Sequence, residues 1–180
     1  MAEERSVDSP RFPIHKPYFA AQIILRALAI AATLAAAWLI ITAKETSTII
    51  GFKEVARYNY SSAFKFFALA NIVSFVFSIL SLLSTFFAGR KTVHPAVYFC
   101  LFLHDLIMAA LLISACSAAT AIGMVGKYGN DKTGWMAICD YFPKFCRRST
   151  VAVGCSYVGF LCYLILTVVS ATKSTTSSKP

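Results

Sequence analysis

Charged side chains are scarce in this sequence: Asp, Glu, Lys and Arg make up 14% of its 180 residues, against 58% hydrophobic ones. A water-soluble globule of that length has too little interior to hide so much apolar surface, which argues against a soluble enzyme. Histidine is nearly missing as well, with three copies at His15, His94 and His104, and only His104 adjoins a carboxylate. There is no glycine-rich phosphate loop and no ligand spacing of the H-E-x-x-H kind. Enzyme activity, a metal and a cofactor are therefore not expected. Gly123, Gly126 and Gly129 fall three apart at the end of an apolar run, not after a strand. Long polar stretches are lacking too. No interval between apolar runs reaches the roughly 40 residues below which a segment seldom folds unaided, which leaves no room for a separate catalytic domain.

What the chain has in excess is apolar length. A helix needs about 20 residues, at roughly 1.5 Å each, to cross a hydrocarbon core of about 30 Å. Four runs meet that requirement: Phe19 to Ala43, Phe66 to Ala88, Ala96 to Gly126 and Ser149 to Thr172. The expected fold is all-α, an integral membrane four-helix bundle over residues 19–172, with disordered tails over 1–18 and 173–180. The third run is over-long, so its end near Gly126 is expected to protrude or tilt. The opening Met-Ala-Glu-Glu-Arg has no basic n-region leading into a short apolar stretch. No cleaved signal is expected, and the first run itself directs insertion. The net charge of +9 would raise the question of nucleic acid in a soluble protein, but here the basic residues flank apolar runs, as at Arg90-Lys91 and Arg147-Arg148. The lipid bilayer, and no nucleic acid, is the partner that pattern implies.

Four crossings put both tails and the turn Gly89 to Pro95 on one side, with seven Lys and Arg. The loops Lys44 to Lys65 and Lys127 to Arg148 share the other side, with nine. That near tie leaves orientation to cysteine. Cys100, Cys116, Cys155 and Cys162 lie within the runs, whereas Cys139 and Cys146 share one loop. A close loop pair suits a disulfide, with about 2 to 3 kcal/mol of stabilisation on the chain-entropy estimate, and disulfides persist on the oxidising side. Both termini are thus expected in the cytosol. Two thiols without a histidine in that loop are too few for a zinc site.

The exceptions to apolar composition carry the most information. Arg26 and Asp105 fall at similar depth in the first and third runs. A charge at that depth costs several kcal/mol unless it is paired or snorkels. Either the two form an intramembrane ion pair, or Arg26 snorkels while Asp105 is protonated or bonded to His104. In the second run Asn71, Ser74, Ser78, Ser81 and Thr85 share one helical face, as a helix-packing seam would. Ala27, Ala31 and Ala35 in the first run, Ala109, Ser114, Ala115, Ala118 and Ala119 in the third, and Cys155 with Gly159 in the fourth supply further small-residue patterns. Trp135, Tyr141, Phe142 and Phe145 are candidates for interfacial anchors or a recognition surface. Asn59-Tyr60-Ser61 is a possible glycosylation sequon close to the second run.

Taken in order, Leu25-Arg26-Ala27-Leu28, Tyr60-Ser61-Ser62-Ala63-Phe64 with Ala70-Asn71, and His104-Asp105-Leu106 resemble the plant Casparian strip membrane domain protein-like (CASP-like) family, its first subgroup above all. The stretch Gly126 to Gly129, then Trp135, Ile138-Cys139 and Lys144-Phe145-Cys146, resembles that family's second extracellular loop. The resemblance implies a plasma-membrane, multi-pass protein with cytosolic tails, distantly like the MARVEL tetraspans. It also implies homo- and hetero-oligomers with related tetraspan proteins, and a scaffold that organises a membrane domain and recruits cell-wall enzymes. The first loop lacks the longer signature of the strip-forming members, so general scaffolding is the role implied. The alternative is a small channel or transporter with a polar path at Arg26, His104 and Asp105, although a path needs polar residues through the full thickness.

Overall fold

A computed structural model describes residues 15–49, 52–88 and 95–177. Of the tails expected to be disordered, 1–18 and 173–180, residues 1–14 and 178–180 lie outside the described residues, as do the turn residues 89–94 with His94, whereas 15–18 and 173–177 continue α-helices. Four helices are present, α1 (His15–Ile41), α2 (Ser62–Ala88), α3 (Pro95–Tyr128) and α4 (Pro143–Ser177). Each is long and apolar enough to cross a membrane, over Phe19–Ile41, Ser62–Phe86, Phe99–Tyr128 and Pro143–Thr172.

The helices outrun their apolar stretches, most of all α4, which begins at Pro143 where the apolar run begins at Ser149. Hydropathy marks the part that lies in hydrocarbon, whereas the backbone keeps its own hydrogen bonds through the interface. Proline at the first helical position starts α4 with a preset φ and no donor to lose. At 34 residues α3 spans about 51 Å, well beyond a core of about 30 Å. The helices form a ring in which α1 and α3 each pack on both α2 and α4. That leaves α1 opposite α3 and α2 opposite α4, the arrangement of an up-and-down bundle.

Buried positions follow steps of three and four in every helix: Gln22, Arg26, Ala29, Thr33, Ala36 and Ile40 in α1, and Phe64, Phe67, Asn71, Ser74, Ser78, Ser81 and Thr85 in α2. The same rhythm gives Asp105, Met108, Leu112, Ala115 and Ala119 in α3, and Ser149, Ala152, Ser156, Gly159, Tyr163, Leu166 and Ser170 in α4. A seven-residue repeat of this kind is the seam of left-handed helix packing. Here most seam residues are small or polar. Leucine-rich seams gain nothing in lipid, where the tails are as apolar as leucine, so close approach and hydrogen bonds must hold the helices. Gly159 illustrates the approach, since a Cβ there would stand 3.2 Å from Cγ2 of Thr33 on α1. Large apolar side chains such as Leu28, Leu69, Leu80 and Leu161 point outward.

The small-residue row of the first run does not face the bundle interior: Ala27 and Ala31 are exposed and Ala35 is half-buried. A pure four-residue row drifts about 40° per step away from a seam of alternating threes and fours. Of the small residues named in α3, Ala109, Ala115 and Ala119 are buried, while Ser114 is exposed and bonds the Ala110 carbonyl at 2.8 Å.

The first loop departs from the all-α expectation. Strands β1 (Lys44–Ile49) and β2 (Phe52–Arg57) pair antiparallel, Lys44 opposite Arg57 and Ile49 opposite Phe52, followed by a 3-10 turn at Tyr58–Tyr60. A lone two-stranded hairpin is marginal, and this one is fastened to the bundle. Ala56 and Tyr58 pack against the core, and the Glu45 carboxylate accepts the Phe145 backbone N–H at 2.8 Å. Glu45 thereby caps the first turn of α4 from a strand 100 residues away, where its charge also suits the helix dipole. Arg148 adds a bond from Nη1 to the Thr42 carbonyl at 3.1 Å.

The second long loop folds back on the same end. Gly129, at φ 70, closes α3 with its N–H on the Val125 carbonyl, and a Cβ there would lie 2.7 Å from the Trp135 oxygen. Ile138 and Cys139 both donate to the Gly126 carbonyl, at 2.8 and 3.0 Å. A Cys139–Cys146 disulfide, Cα atoms 5.7 Å apart, then ties the loop to α4. Phe142 and Phe145 are consequently buried, Phe145 edge-on to Phe64 at 5.9 Å, and are not surface anchors. Trp135 and Tyr141 stay exposed.

Replacing Glu45 by Ala leaves a helix-start donor unpaired and is expected to lower stability by about 1 to 2 kcal/mol. The exposed Glu54→Ala is expected to change it by no more than about 0.5 kcal/mol; unfolding curves of both variants in the same detergent measure the contrast.

Candidate functional site in the buried polar layer

Seven residues into its apolar span, α1 places Arg26 at 1% exposure, with Asp105 of the opposite helix at 0%. Nη1 of the guanidinium donates to Asp105 Oδ1 and Nη2 to Oδ2, each at 2.9 Å. The fork is therefore bidentate, the geometry that makes arginine and carboxylate the strongest of protein ion pairs. Arg26 Nη1 also donates to Ser81 Oγ of α2 at 2.5 Å, and His104 Nδ1 lies 3.1 Å from Asp105 Oδ1. Of the two arrangements open from sequence, the structure shows the pair, with the His104 contact added to it. The guanidinium does not snorkel.

A second bridge crosses the other diagonal. The hydroxyl of Tyr163 on α4 shares a hydrogen bond with Ser78 Oγ on α2 and donates to the Ser74 carbonyl at 3.0 Å. Each pair of opposite helices is thus joined through the bundle axis. His104 lies between the bridges, its ring centroid 6.4 Å from that of Tyr163 and 6.1 Å from that of Phe77. Nearer the start of α1, Gln22 Nε2 donates to Ser170 Oγ at 3.2 Å.

All five residues named for the α2 seam are buried, but they act differently. The hydroxyls of Ser78 and Ser81 bond across helices and Ser74 does so through its carbonyl, whereas Asn71 and Thr85 bond their own helix, at the Phe67 and Ser81 carbonyls. Tyr163, Gln22 and Ser170 escaped sequence reasoning. The signal for α4 was its seven-residue series of Ser149, Ser156, Tyr163 and Ser170. Asn59 is exposed in the 3-10 turn, three residues before α2. Among the described residues no three His, Cys, Asp or Glu side chains gather into a metal-binding group.

Chemically the layer is a buried, charge-compensated lock. Beyond it the axis is filled by Ala29, Met108 and Leu112, and then by Ala36, Ile40, Phe67 and Ala115. The Casparian strip membrane protein domain matches residues 15–162, which takes in the lock, the hairpin and the disulfide. The chain belongs to that family. Among curated plant relatives, CASP-like protein 1F1 of Ricinus communis is 54% identical over 88% of this chain and 89% of its own. CASP-like protein 1F2 of Populus trichocarpa is 48% identical over 96% and 95%, and CASP-like protein 1F1 of Arabidopsis thaliana 38% over 83% and 86%. No solved structure matches the chain. Four apolar helices and this membership make it a CASP-like multi-pass membrane protein of plants.

Removing one partner of a buried ion pair strands the other, so Asp105→Asn and Arg26→Gln are each expected to cost about 3 to 5 kcal/mol. The apolar double variant Arg26→Met/Asp105→Leu should recover much of that loss, and the charge reversal Arg26→Asp/Asp105→Arg part of it. Thermal unfolding followed by size-exclusion fluorescence ranks the four. Tyr163→Phe, which leaves Ser78 without its partner, is expected to cost about 1 to 2 kcal/mol in the same assay.

Proposed function

We propose that this CASP-like protein is an oligomerising scaffold of the plasma membrane. Its tails lie in the cytosol, and the hairpin and the disulfide-bonded loop face the cell wall. The observation that carries this reading is the cap at one end of the bundle, where Glu45 and the Cys139–Cys146 bridge fasten both longer loops to the first turn of α4. Loops held this way present a fixed surface, with Phe52, Tyr60, Trp135 and Met136 all exposed. A preorganised surface loses less entropy on docking than free loops do, which suits recruitment of wall-modifying proteins. The disulfide supports the orientation, because such bonds persist on the oxidising side. Oligomerisation is supported by the outward face of α1, where exposed Ala27 and Ala31 let a neighbouring helix approach closely. The lock at Arg26, His104 and Asp105 serves this scaffold by fixing the helix register. As a permeation path it would be blocked by the packed side chains on both diagonals beyond it.

A fluorescent fusion is expected to form plasma-membrane patches that recover little after photobleaching, and proteoliposomes of the purified protein should carry no ion flux. Free diffusion of the fusion as single copies, or flux abolished by Asp105→Asn, would count against the scaffold.

A further inference from the structure

Between the hairpin, the ends of α2 and α3 and the start of α4 lies a groove of about 850 Å³. That size falls within the roughly 300 to 1,000 Å³ of built ligand sites. Its floor is apolar, with Phe64, Ile122, Met124, Ile138 and Val153 among the lining side chains. Its charged lining is lopsided. Arg57, Lys127 and Arg147 stand there against a single carboxylate, Glu54. The ion pairs among the described residues are those of Asp105 with Arg26 and His104, so none of the three cations is neutralised by a carboxylate. Lys127 has only the ring of Tyr128, at 5.1 Å, as a further partner.

Position gives this combination its meaning. Arg57 precedes α2, Lys127 lies in the last turn of α3 and Arg147 in the first turns of α4, so all three stand at one end of the bundle, at the height of lipid head groups. Ile122 and Val153 lie further along α3 and α4, toward the hydrocarbon. We infer that the groove holds an acyl chain of an anionic phospholipid from the loop-side leaflet, with its phosphate among Arg57, Lys127 and Arg147. A second copy of the chain suits the site poorly, because its own cap brings the same basic residues and the whole chain carries +9. A lipid supplies both the missing negative charge and the apolar filling, and reaches the groove without leaving the bilayer. The inference needs the helices to cross the membrane and an anionic lipid in the loop-side leaflet, but neither oligomerisation nor recruitment, so its failure and that of the scaffold reading are told apart.

Gly123 offers a clean test. It lines the groove, and a Cβ added there meets nothing within 4 Å, so a larger side chain enters the groove without striking backbone. Native mass spectrometry of the full-length protein, purified in detergent and titrated with phosphatidylglycerol or phosphatidylcholine, reads occupancy directly. One phosphatidylglycerol per chain is expected, retained at least tenfold better than phosphatidylcholine, because each of the three basic residues favours an anionic head group. Gly123→Phe should abolish that adduct, and Arg57→Gln/Lys127→Gln/Arg147→Gln should erase the preference while leaving weak binding of both lipids. If Gly123→Phe does not fold, as judged by its helical circular dichroism, Met124→Trp fills the same groove from an exposed position. Equal retention of the two lipids by the unsubstituted protein, or an adduct that survives a filled groove, overturns the inference. So does displacement of the lipid by millimolar inorganic phosphate, which would leave only a head-group site, or a dimer without lipid that Gly123→Phe dissociates, which would give the groove to a second copy.

Discussion

Arg26 and Asp105 hold the bundle together in a solvent that gives apolar side chains no reason to associate. In water the two charges would be a net cost to bury against a well-packed apolar substitute. In a bilayer the alternative is lipid around each charge, which is worse, so the fork between α1 and α3 is both stabilising and selective of one helix register. Tyr163 does the same for α2 and α4 with neutral groups. Because the two bridges lie on different diagonals, turning any one helix about its axis breaks a contact with the helix opposite, and turning α1 also breaks Arg26 to Ser81 on α2 and Gln22 to Ser170 on α4.

The rest of the interior follows from that lock. Small seam residues bring the helices near enough for side chains as short as serine to reach across, and Gly159 against Thr33 shows how little space is left. Most large aliphatic residues, which would form the core of a soluble bundle, are turned to the lipid, with Ile40, Leu112 and Leu166 among the few inside. The polarity of the protein is thus inverted only in part. Two apolar clusters remain along the axis, while buried polar residues recur at other depths, Gln22 with Ser170 toward one end and Asn71, Ser156 and Ser149 toward the other.

Much of this was legible in the sequence because lipid imposes few solutions. Four apolar runs gave four helices, and two charges at matching depth in separate runs left two resolutions, of which the structure shows the ion pair. The α2 seam was readable from five polar residues on one face. The α4 seam was not, because alanine, glycine, leucine and tyrosine interrupt its serines, and only the seven-residue spacing links them. Which face Ala27 and Ala31 occupy was not readable either, since small residues at four-residue spacing look alike whether they face the bundle or its surroundings. The hairpin was hidden because its strands are short and polar, with Lys-Glu-Thr-Ser-Thr-Ile showing no buried face. Its stability comes from Glu45 and Phe145, a contact that local sequence cannot announce. Phe142 and Phe145 resembled interfacial aromatics until the disulfide loop folded them inward.

The Glu45 cap also bears on the order in which the protein is made. A chain emerging from the ribosome exposes β1 and β2 long before α4 exists, and domains near the N-terminus ordinarily fold first. Here the first loop has no α4 backbone N–H to hold until the last crossing is in place, so the hairpin is completed by the final helix. An incompletely inserted chain therefore displays a loose first loop, and the folded cap is a signature that all four crossings have been assembled.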